Sequence, residues 1–371
     1  MRLTALQLEG FKSIATHPGQ AIALGDVTVL LGANGAGKSN LISFFRMLGA
    51  MNSGTLQHFV GRHGVRQLLF YGPKVTDTIR FNITLEDEAA QATYAVKLAY
   101  GLPDRLFVDE ETVTCWTRDG ALPSSFALEV GGAEASLGHD ARDISQRIAG
   151  WLGKIQAFQF HDTSETARIK DRCYIDDVAA LRGDAGNLAA FLRNLQQTER
   201  FQPYYRRIVR HVQRVMPQLE DFALDALPGS ENYVRLNWRD KQRTDYLFGP
   251  DQISDGSLRF MAMATLLLQP PELLPRVIVL DEPELGLHPA AILELAGMIK
   301  RATTHAQVVL ATQSTRLVDE FSPDAIIVVE RDAQTGASHF RHLESSRLAG
   351  WLERLAGDYA GNGLGLEAAE E

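Results

Sequence analysis

A glycine-rich stretch near the amino terminus carries the residue types that bind phosphate. Residues 29–40 read VLLGANGAGKSN, which contains the pattern G-x-x-x-x-G-K-S between an apolar run and a helix-like segment. Glycines let backbone N–H groups turn toward an anion, the lysine can reach the β- and γ-phosphates, and the serine hydroxyl can bind Mg²⁺. The stretch therefore predicts a P-loop that holds ATP and Mg²⁺. The nucleotide-contacting residues are predicted to be Gly32, Ala33, Asn34, Gly35, Ala36, Gly37, Lys38, Ser39 and Asn40.

Two adjacent acids end an apolar strand in the final third of the chain. Residues 276–289 read RVIVLDEPELGLHP. With Ser39, Asp281 at the end of the strand is a predicted Mg²⁺ ligand, and Glu282 is placed to polarise the attacking water as a general base. An acidic turn after a strand is common by itself. The P-loop in the same chain favours the catalytic interpretation.

A third segment, ISDGSLRF at residues 253–260, begins a predicted helix. Ser254 can cap this helix, and capping alone would explain the serine. A helix N-terminus that presents Ser254 and Gly256 is also a second anion site. Because the helix leads directly into the Asp281 strand, its position favours two phosphate-binding ends in one chain.

The nucleotide motifs lie at the two ends of the chain, and other elements separate them. In the middle, the pattern predicts antiparallel strands at 77–85, 93–100 and 105–117, a short helix at 144–152 and a strand at 154–160. A mostly helical region follows at 174–217, interrupted at RGDAGN, residues 182–187, and near Pro203, and strand-like alternation returns at 222–249. The final third alternates helices and strands, at 257–268, 276–280, after 289, 307–311, near 315 and 325–330.

Composition limits the class of protein. The 371 residues, of which 45% are hydrophobic, suffice for one large domain or two. A net charge of −9 opposes general coating of nucleic acid but leaves room for a local basic surface. Two distant cysteines indicate a reducing compartment, and the chain has no signal peptide pattern. Prolines interrupt the apolar stretch 261–280, so we expect no membrane span and a cytoplasmic protein.

The motifs GANGAGKS, ISDGSLR, VIVLDEPELGLHP and VVLATQS, in this order after the opening LEGFKSI, resemble the ABC-type ATPases of the SMC and RecF group. More narrowly, the chain is similar to bacterial RecF-like AAA-family ATPases related to the ATPase half of OLD-family defence proteins. The fold class expected is α/β. It is a P-loop NTPase with an ABC-type ATPase head, in which antiparallel β elements and a helical lobe are inserted between the P-loop and the signature motif ISDGSLR. The expected domains are core halves at 1–55 and 240–345, an inserted β and helical lobe at 56–239, and a C-terminal helix with a flexible tail at 346–371.

The resemblance also implies roles for residues that spacing alone does not assign. Ser254 and Gly256 would act in trans, so that a homodimer sandwiches ATP, and the segment 284–289 would cross the dimer interface. Gln159 would be the glutamine that senses Mg²⁺, although a buried or strand-end glutamine explains it equally well. Gln313 stands where the group usually has a histidine that touches the γ-phosphate. Because an amide donates a hydrogen bond without charge, this difference predicts slow hydrolysis or a switch that mainly binds ATP.

An arginine stripe marks the predicted helical region. Arg206, Arg210 and Arg214 fall at positions i, i+4 and i+8, which places them on one helix face. The stripe is either an ordinary solvated face or a surface that binds nucleic acid phosphates, and an acidic partner protein would use it equally well. The 58 residues after Gln313 are too few for a further domain of usual size, so any nuclease is expected on a separate polypeptide.

The sequence thus predicts an ATPase that dimerises around ATP and Mg²⁺ and controls DNA or a separate effector protein, in anti-phage defence. One alternative is a RecF-like repair or recombination ATPase that acts directly on DNA. Another is a nucleotide-gated scaffold with little turnover, which Gln313 permits.

Overall fold

The fold is seen in a computed structural model that describes residues 1–343 except Pro18, Ala89 and 118–121. The predicted C-terminal helix and tail at 346–371 lie outside the described residues. The strands are β1 (Arg2–Glu9), β2 (Gln20–Ala23), β3 (Val27–Leu31), β4 (Thr78–Glu86), β5 (Ala90–Gly101), β6 (Arg105–Thr117), β7 (Ser124–Ala127), β8 (Ile155–Phe158), β9 (Cys173–Tyr174), β10 (Leu219–Ala223), β11 (Tyr233–Val234), β12 (Asn237–Asp240), β13 (Arg243–Phe248), β14 (Val277–Asp281), β15 (Gln307–Thr312), β16 (Ile326–Arg331) and β17 (Ser338–His342). The α-helices are α1 (Lys38–Asn52), α2 (Leu56–His63), α3 (Val65–Leu68), α4 (Asp143–Leu152), α5 (Leu188–Gln197), α6 (Gln202–Val215), α7 (Asp255–Leu268), α8 (Pro289–Ala302) and α9 (Thr315–Val318).

A mainly parallel sheet, with strand order β17-β16-β3-β15-β14-β8, carries the nucleotide motifs. Its pairs are parallel except β16 with β17. Every residue of β14 and β15 is buried, which explains their continuous apolar sequences, since a strand covered on both faces has no solvent side. The parallel register places the carboxyl ends of β3, β14 and β15 along one edge. Ligands of open α/β sheets bind at this edge.

Helices cover the two faces of the parallel sheet with separate cores. On one face, Val279 of β14 packs with α1 and with an antiparallel sheet of order β2-β1-β4-β5-β6-β7. The rings of Phe44 in α1 and Phe81 in β4 lie 5.1 Å apart, edge to face. On the other face, Leu280 packs with α5, α6, α7 and α8. Because α1 is held between two sheets, the P-loop at its start has a rigid support.

The region from 174 to 217 is interrupted before α5 and again between α5 and α6, as predicted, but it is less helical than the sequence indicated. Helices are confined to α5 and α6, and a loop occupies 175–187. Asn187 is buried, and its amide donates to the carbonyls of Asp177 and Ala180, at 2.9 Å each, while its oxygen accepts from Arg182 N at 2.9 Å. The apolar spacing suggested a helix before the predicted interruption at 182–187, but these side-chain bonds, to residues five, seven and ten positions away, stabilise a loop from 175 onward. The antiparallel strands and the helix near 144–152 agree with their predicted positions.

Two strands belong to sheets that the predicted domain boundaries separate them from. β8 lies within the predicted insert at 56–239, yet it forms the edge strand of the parallel sheet beside β14. β1, from the predicted first core half, pairs with β4 in the antiparallel sheet. The division into core halves and insert stays a prediction.

Candidate functional site

The P-loop connects β3 to α1 with a backbone that only glycine accommodates at several positions. Gly35 and Gly37 have φ values of +78° and +115°. A Cβ on Gly32 would lie 2.3 Å from the Val329 carbonyl oxygen, and one on Gly37 would lie 2.1 Å from Ser338 Oγ. The glycines therefore combine left-handed turns with close packing against β16 and β17.

Lys38 begins α1 and is held inside the loop that precedes it. Its ammonium group donates to the carbonyl oxygens of Gly32 at 2.6 Å and Ala33 at 3.0 Å. Burial lowers the pKa of Lys38, while the nearby carboxylates of Glu282 and Asp281 oppose this shift. A buried ammonium that already lies against the loop is placed to meet anionic phosphate oxygens.

Ser39 and Asp281 meet at the carboxyl edge of the sheet. The Ser39 hydroxyl donates to Asp281 Oδ1 at 3.3 Å, across 242 positions of sequence. Burial raises the pKa of the Asp281 carboxyl, with the charge of Glu282 adding to the shift and His161 opposing it. A hydroxyl and a buried carboxylate are hard oxygen donors that suit Mg²⁺, and a cation there would offset the unfavourable desolvation of the acid.

Glu282 and Gln313 contact each other directly beside the P-loop. The Gln313 amide donates both to a carboxylate oxygen of Glu282 and to the side-chain oxygen of Asn34. Glu282 follows the end of β14 with a φ of +43°, and its N–H donates to the Ala311 carbonyl at 2.8 Å. This backbone conformation is strained for a residue with a side chain, and strain of this kind is concentrated at functional sites.

Gln159 lies just beyond the end of β8 and is held from two sides. Arg46 donates to its oxygen at 2.9 Å, and its nitrogen lies 3.2 Å from Nδ1 of His161. Nε2 of His161 lies 2.8 Å from the Asp281 carbonyl oxygen. Arg46 and His161 thus join Gln159 to the strand that ends in Asp281, and the sequence motifs had indicated neither of them. Arg46 follows Lys38 by eight positions in a helix, which gives no local signal.

Ser254 caps α7, as the sequence predicted, and is exposed. Its hydroxyl oxygen accepts from Ser257 N at 3.2 Å. Among the described residues, no hydrogen bond joins it to the P-loop of its own chain. A Cβ on Gly256 would lie 2.4 Å from the Gly286 carbonyl oxygen. The start of α7 is therefore packed closely against the 284–289 segment.

Arg259 fastens α7 to the neighbouring loops. Its guanidinium donates to the carbonyl oxygens of Leu285 at 3.3 Å and His161 at 2.9 Å, and to Thr163 Oγ1 at 3.1 Å. These bonds hold α7 together with the 284–289 segment and the segment after β8.

Glu284 is a further residue whose contacts the sequence did not indicate. Its carboxylate accepts from the Thr312 hydroxyl and, at 3.4 Å, from Gln313 N. Burial raises the pKa of the Glu284 carboxyl, and the hydrogen bond from Thr312 opposes the shift. Glu284 therefore ties the loop after β14 to the end of β15, next to the Gln313 side chain.

The predicted arginine stripe lies on α6, away from these residues in sequence. Arg206, Arg210 and Arg214 are exposed. Arg214 forms a salt bridge of 3.0 Å with Glu294 of α8, whereas Arg206 and Arg210 form hydrogen bonds within α6 and no salt bridge among the described residues. Within the described chain, the stripe's positive charge is therefore unpaired at Arg206 and Arg210 and paired at Arg214.

The chain is similar to known proteins in sequence and in structure. The model of a family described as "AAA domain, putative AbiEii toxin, Type IV TA system" matches residues 27–117 and 181–319, more than half of the chain. No curated protein sequence gives a significant match. None of the helices in the described part of the chain has both the length and the apolar character needed to span a bilayer.

Solved structures of SMC heads have a similar fold. An SmcHead bound to the C-winged helix domain of ScpA is 16% identical, with 94% of this chain and 100% of that chain covered and a TM-score of 0.54. The Smc head domain with an extended coiled coil from Pyrococcus furiosus, bound to the C-terminal domain of ScpA, is 14% identical, with 96% and 99% covered and a TM-score of 0.54. The predicted fold class, an α/β P-loop NTPase with an ABC-type head, is confirmed.

Proposed function

This chain belongs to the AAA-domain family described above, and from that premise we propose that it binds ATP with Mg²⁺, hydrolyses it, and dimerises around the nucleotide. One observation carries the proposal. The Ser39–Asp281 pair and the Glu282–Gln313 pair meet the P-loop at one edge of the parallel sheet. The first pair suits a phosphate-bound cation, and the second suits an attacking water.

The P-loop residues bind and orient the triphosphate in this proposal. Lys38 exchanges the carbonyl oxygens of Gly32 and Ala33 for the β- and γ-phosphate oxygens, and the N–H groups at the start of α1 face the same anion. Ser39 and Asp281 would hold Mg²⁺. When bound, the ion neutralises charge on the phosphate oxygens.

Glu282 activates the attacking water in this proposal, and Gln313 orients Glu282. The Glu282 carboxylate accepts a proton from the water whose oxygen forms the new bond to the γ-phosphorus, and the bond from that phosphorus to the β–γ bridging oxygen breaks to give ADP and phosphate. The side-chain amide nitrogen of Gln313 donates one hydrogen bond to the Glu282 carboxylate and another to the side-chain oxygen of Asn34 in the P-loop. As a neutral donor it orients without adding charge, which favours modest turnover.

Replacing Lys38 with Ala is expected to weaken ATP binding, because it removes an ammonium that contacts two phosphates. A charge-assisted hydrogen bond contributes about 1.5–3 kcal/mol, so affinity should fall at least about tenfold. Calorimetric titration with ATP measures the change. The matched control is Lys154→Ala, an exposed lysine just before β8. Undiminished ATP affinity in the Lys38 variant, or an equal decrease in the control, would refute the P-loop assignment.

The exposed position of Ser254 supports the proposed dimer. This serine is exposed at the start of α7, with no hydrogen bond to its own P-loop in the described chain. A second copy can supply the N-terminus of α7 to the γ-phosphate side of the first, as in the head-to-tail arrangement that the resemblance implies. Gly256 and the 284–289 segment then belong to the interface.

The partners of the dimer are proposed by analogy. The similar SMC heads are bound to domains of ScpA, and we propose that this chain likewise controls a separate protein, such as a nuclease effector, or DNA. Anti-phage defence and a cytoplasmic location remain parts of this proposal. A RecF-like repair ATPase would instead show turnover stimulated by DNA without any partner. The Gln313 amide also suits a nucleotide-gated scaffold, which a measurement of hydrolysis alone would distinguish.

Changing both Arg206 and Arg210 to Ala tests whether the stripe binds DNA. If both arginines bind phosphates of duplex DNA, the plot of log affinity against log salt should flatten by roughly 0.9 for each phosphate that is no longer neutralised. Arg214→Ala should change the slope less, because Glu294 already pairs with Arg214. Fluorescence anisotropy at several salt concentrations gives the slope. A slope unchanged in the double variant would identify the stripe as a solvated or protein-docking face.

A further inference from the structure

A basic concavity lies beside α1, the helix that follows the P-loop. A cavity of about 640 Å³ opens between α1, α2, the residues around the end of β8 and the 182–184 turn. Three guanidinium groups, of Arg46, Arg62 and Arg182, and two imidazoles, of His58 and His63, line it. Its volume falls within the range of roughly 300–1,000 Å³ that is usual for small-molecule sites.

Arginines outnumber acids on the wall of this cavity, with Arg46, Arg62 and Arg182 beside the one acid Asp184 among the described lining residues. Among the described residues, Arg46 and Arg62 form no salt bridge. The acid on the cavity wall, Asp184, lies 3.7 Å from Arg168, and the wall residue Arg182 is paired with Asp177 at 2.6 Å.

Arg46 and Arg62 line the same cavity. Desolvation lowers the pKa of Arg46, Asp281 opposes this shift, and the charge of Arg62 adds to it. In a chain with a net charge of −9, two neighbouring arginines without a salt bridge in the described structure are a local feature that composition does not explain.

We infer that this cavity is an anion site separate from both the P-loop and the start of α7, and that it binds the phosphate group of a nucleotide that is either free or at the end of a nucleic acid strand. Arginine presents a planar fork of N–H donors that matches phosphate oxygens. Nδ1 of His63 lies 2.8 Å from the Phe59 carbonyl oxygen, which leaves Nε2 as the other polar atom of that ring. Ala50, Phe59 and Ala157 supply apolar wall for the rest of the ligand.

A ligand in the cavity would share Arg46 with Gln159. The Arg46 guanidinium already donates to the Gln159 oxygen at 2.9 Å, and Gln159 itself lines the cavity. This anion site is therefore in direct contact with the side chain that adjoins His161 and Asp281. It is nevertheless separate from the P-loop, because none of residues 32–40 lines it.

The test measures binding in the Lys38→Ala variant, whose P-loop lacks its main phosphate contact. The probes are inorganic phosphate, a 5′-phosphorylated DNA hexanucleotide and the same hexanucleotide without the phosphate, titrated by calorimetry. We expect the phosphate-bearing probes to bind and the combined change of His58→Ala and Arg62→Ala to lower their affinity at least tenfold. Arg62→Gln should lower affinity in the same direction while keeping most of the side chain.

One control variant tests whether the effect is specific to the cavity, and a comparison of two probes identifies the source of the phosphate. Arg276→Ala removes an equal charge from an exposed position at the opposite end of β14 and should leave binding unchanged. Tighter binding of the phosphorylated hexanucleotide than of inorganic phosphate indicates a strand end, and equal binding indicates a free ligand.

Two results would overturn the inference. One is unchanged affinity for the phosphate-bearing probes in the His58 and Arg62 variants when their melting temperatures are normal. The other is tighter binding of a polyglutamate peptide than of any phosphate probe, which would identify an acidic protein surface as the occupant. Because binding is read directly, failure here leaves the proposed ATPase untouched.

Discussion

Replacing Glu282 with Gln will leave ATP binding intact and lower the rate of ATP hydrolysis by about 10²–10⁴-fold, the contribution usual for a general base. The glutamine keeps the shape of the side chain, and its carbonyl oxygen can still accept the hydrogen bond from Gln313. It cannot accept the proton of the attacking water at neutral pH. Single-turnover hydrolysis and an ATP titration separate the chemical step from binding.

The matched control is Glu272→Gln, the same change at an exposed glutamate before β14. Its hydrolysis should match that of the unaltered protein. If the Glu282 variant retains full hydrolysis, the water is activated by another group and the proposed mechanism is wrong. Loss of ATP binding in the variant would instead assign Glu282 to the binding site.

The same variant will accumulate as a dimer with ATP and as a monomer with ADP. Stalled hydrolysis preserves the γ-phosphate that the α7 N-terminus of the partner contacts in the proposed sandwich. Light scattering after size-exclusion chromatography measures both masses. An identical mass with the two nucleotides would argue against dimerisation that depends on ATP.

Mixing a Ser254→Arg chain with a Lys38→Ala chain will restore hydrolysis that neither chain has alone. In the trans model, arginine at position 254, the exposed start of α7, prevents this chain from completing the ATP site of its partner. The P-loop of the Ser254→Arg chain is unaltered. The Lys38 variant has the reverse defect. Random pairing of equal amounts makes about half of the dimers mixed, and one sound site in each gives roughly a quarter of the unaltered rate if the sites act independently.

The Ser254 variant alone must still bind ATP for this interpretation. Removing the serine cap costs α7 about 1 kcal/mol, so thermal melting has to show that the chain is folded. Ser322→Arg, at an exposed serine before a helical turn, controls for the added charge and bulk. If Ser254→Arg by itself abolishes ATP binding in a folded chain, the serine serves its own site and the trans model is wrong.

The fold class and the positions of the motifs follow from local chemistry. The left-handed φ values of Gly35 and Gly37 require residues without a Cβ, and the continuous apolar run before Asp281 requires a strand buried on both faces. The SMC-head fold confirms the class that the motifs predicted. The roles of Ser254, Gln159 and the arginine stripe, and the relation to OLD-family proteins, stay predictions.

The loop at 175–187 shows where local reasoning is incomplete, because the sequence predicted the break at 182–187 but favoured a helix over 175–181. Its apolar spacing favours a helix, yet the buried Asn187 amide bonds two backbone carbonyls that a helix would have used within itself. Propensity is a weak term, and a few satisfied buried hydrogen bonds outweigh it.

By itself, then, the sequence determined that this protein has a P-loop, a pair of acids after a buried strand and a capped helix before it, because each depends on neighbours within one turn or strand. Only the tertiary structure decided which side chains meet. Gln159 reaches Arg46 and His161 because β8 pairs beside β14, and Arg46 shares a cavity with Arg62 because α2 folds back near α1. Such contacts depend on strand order and helix packing, which residues distant in sequence settle together.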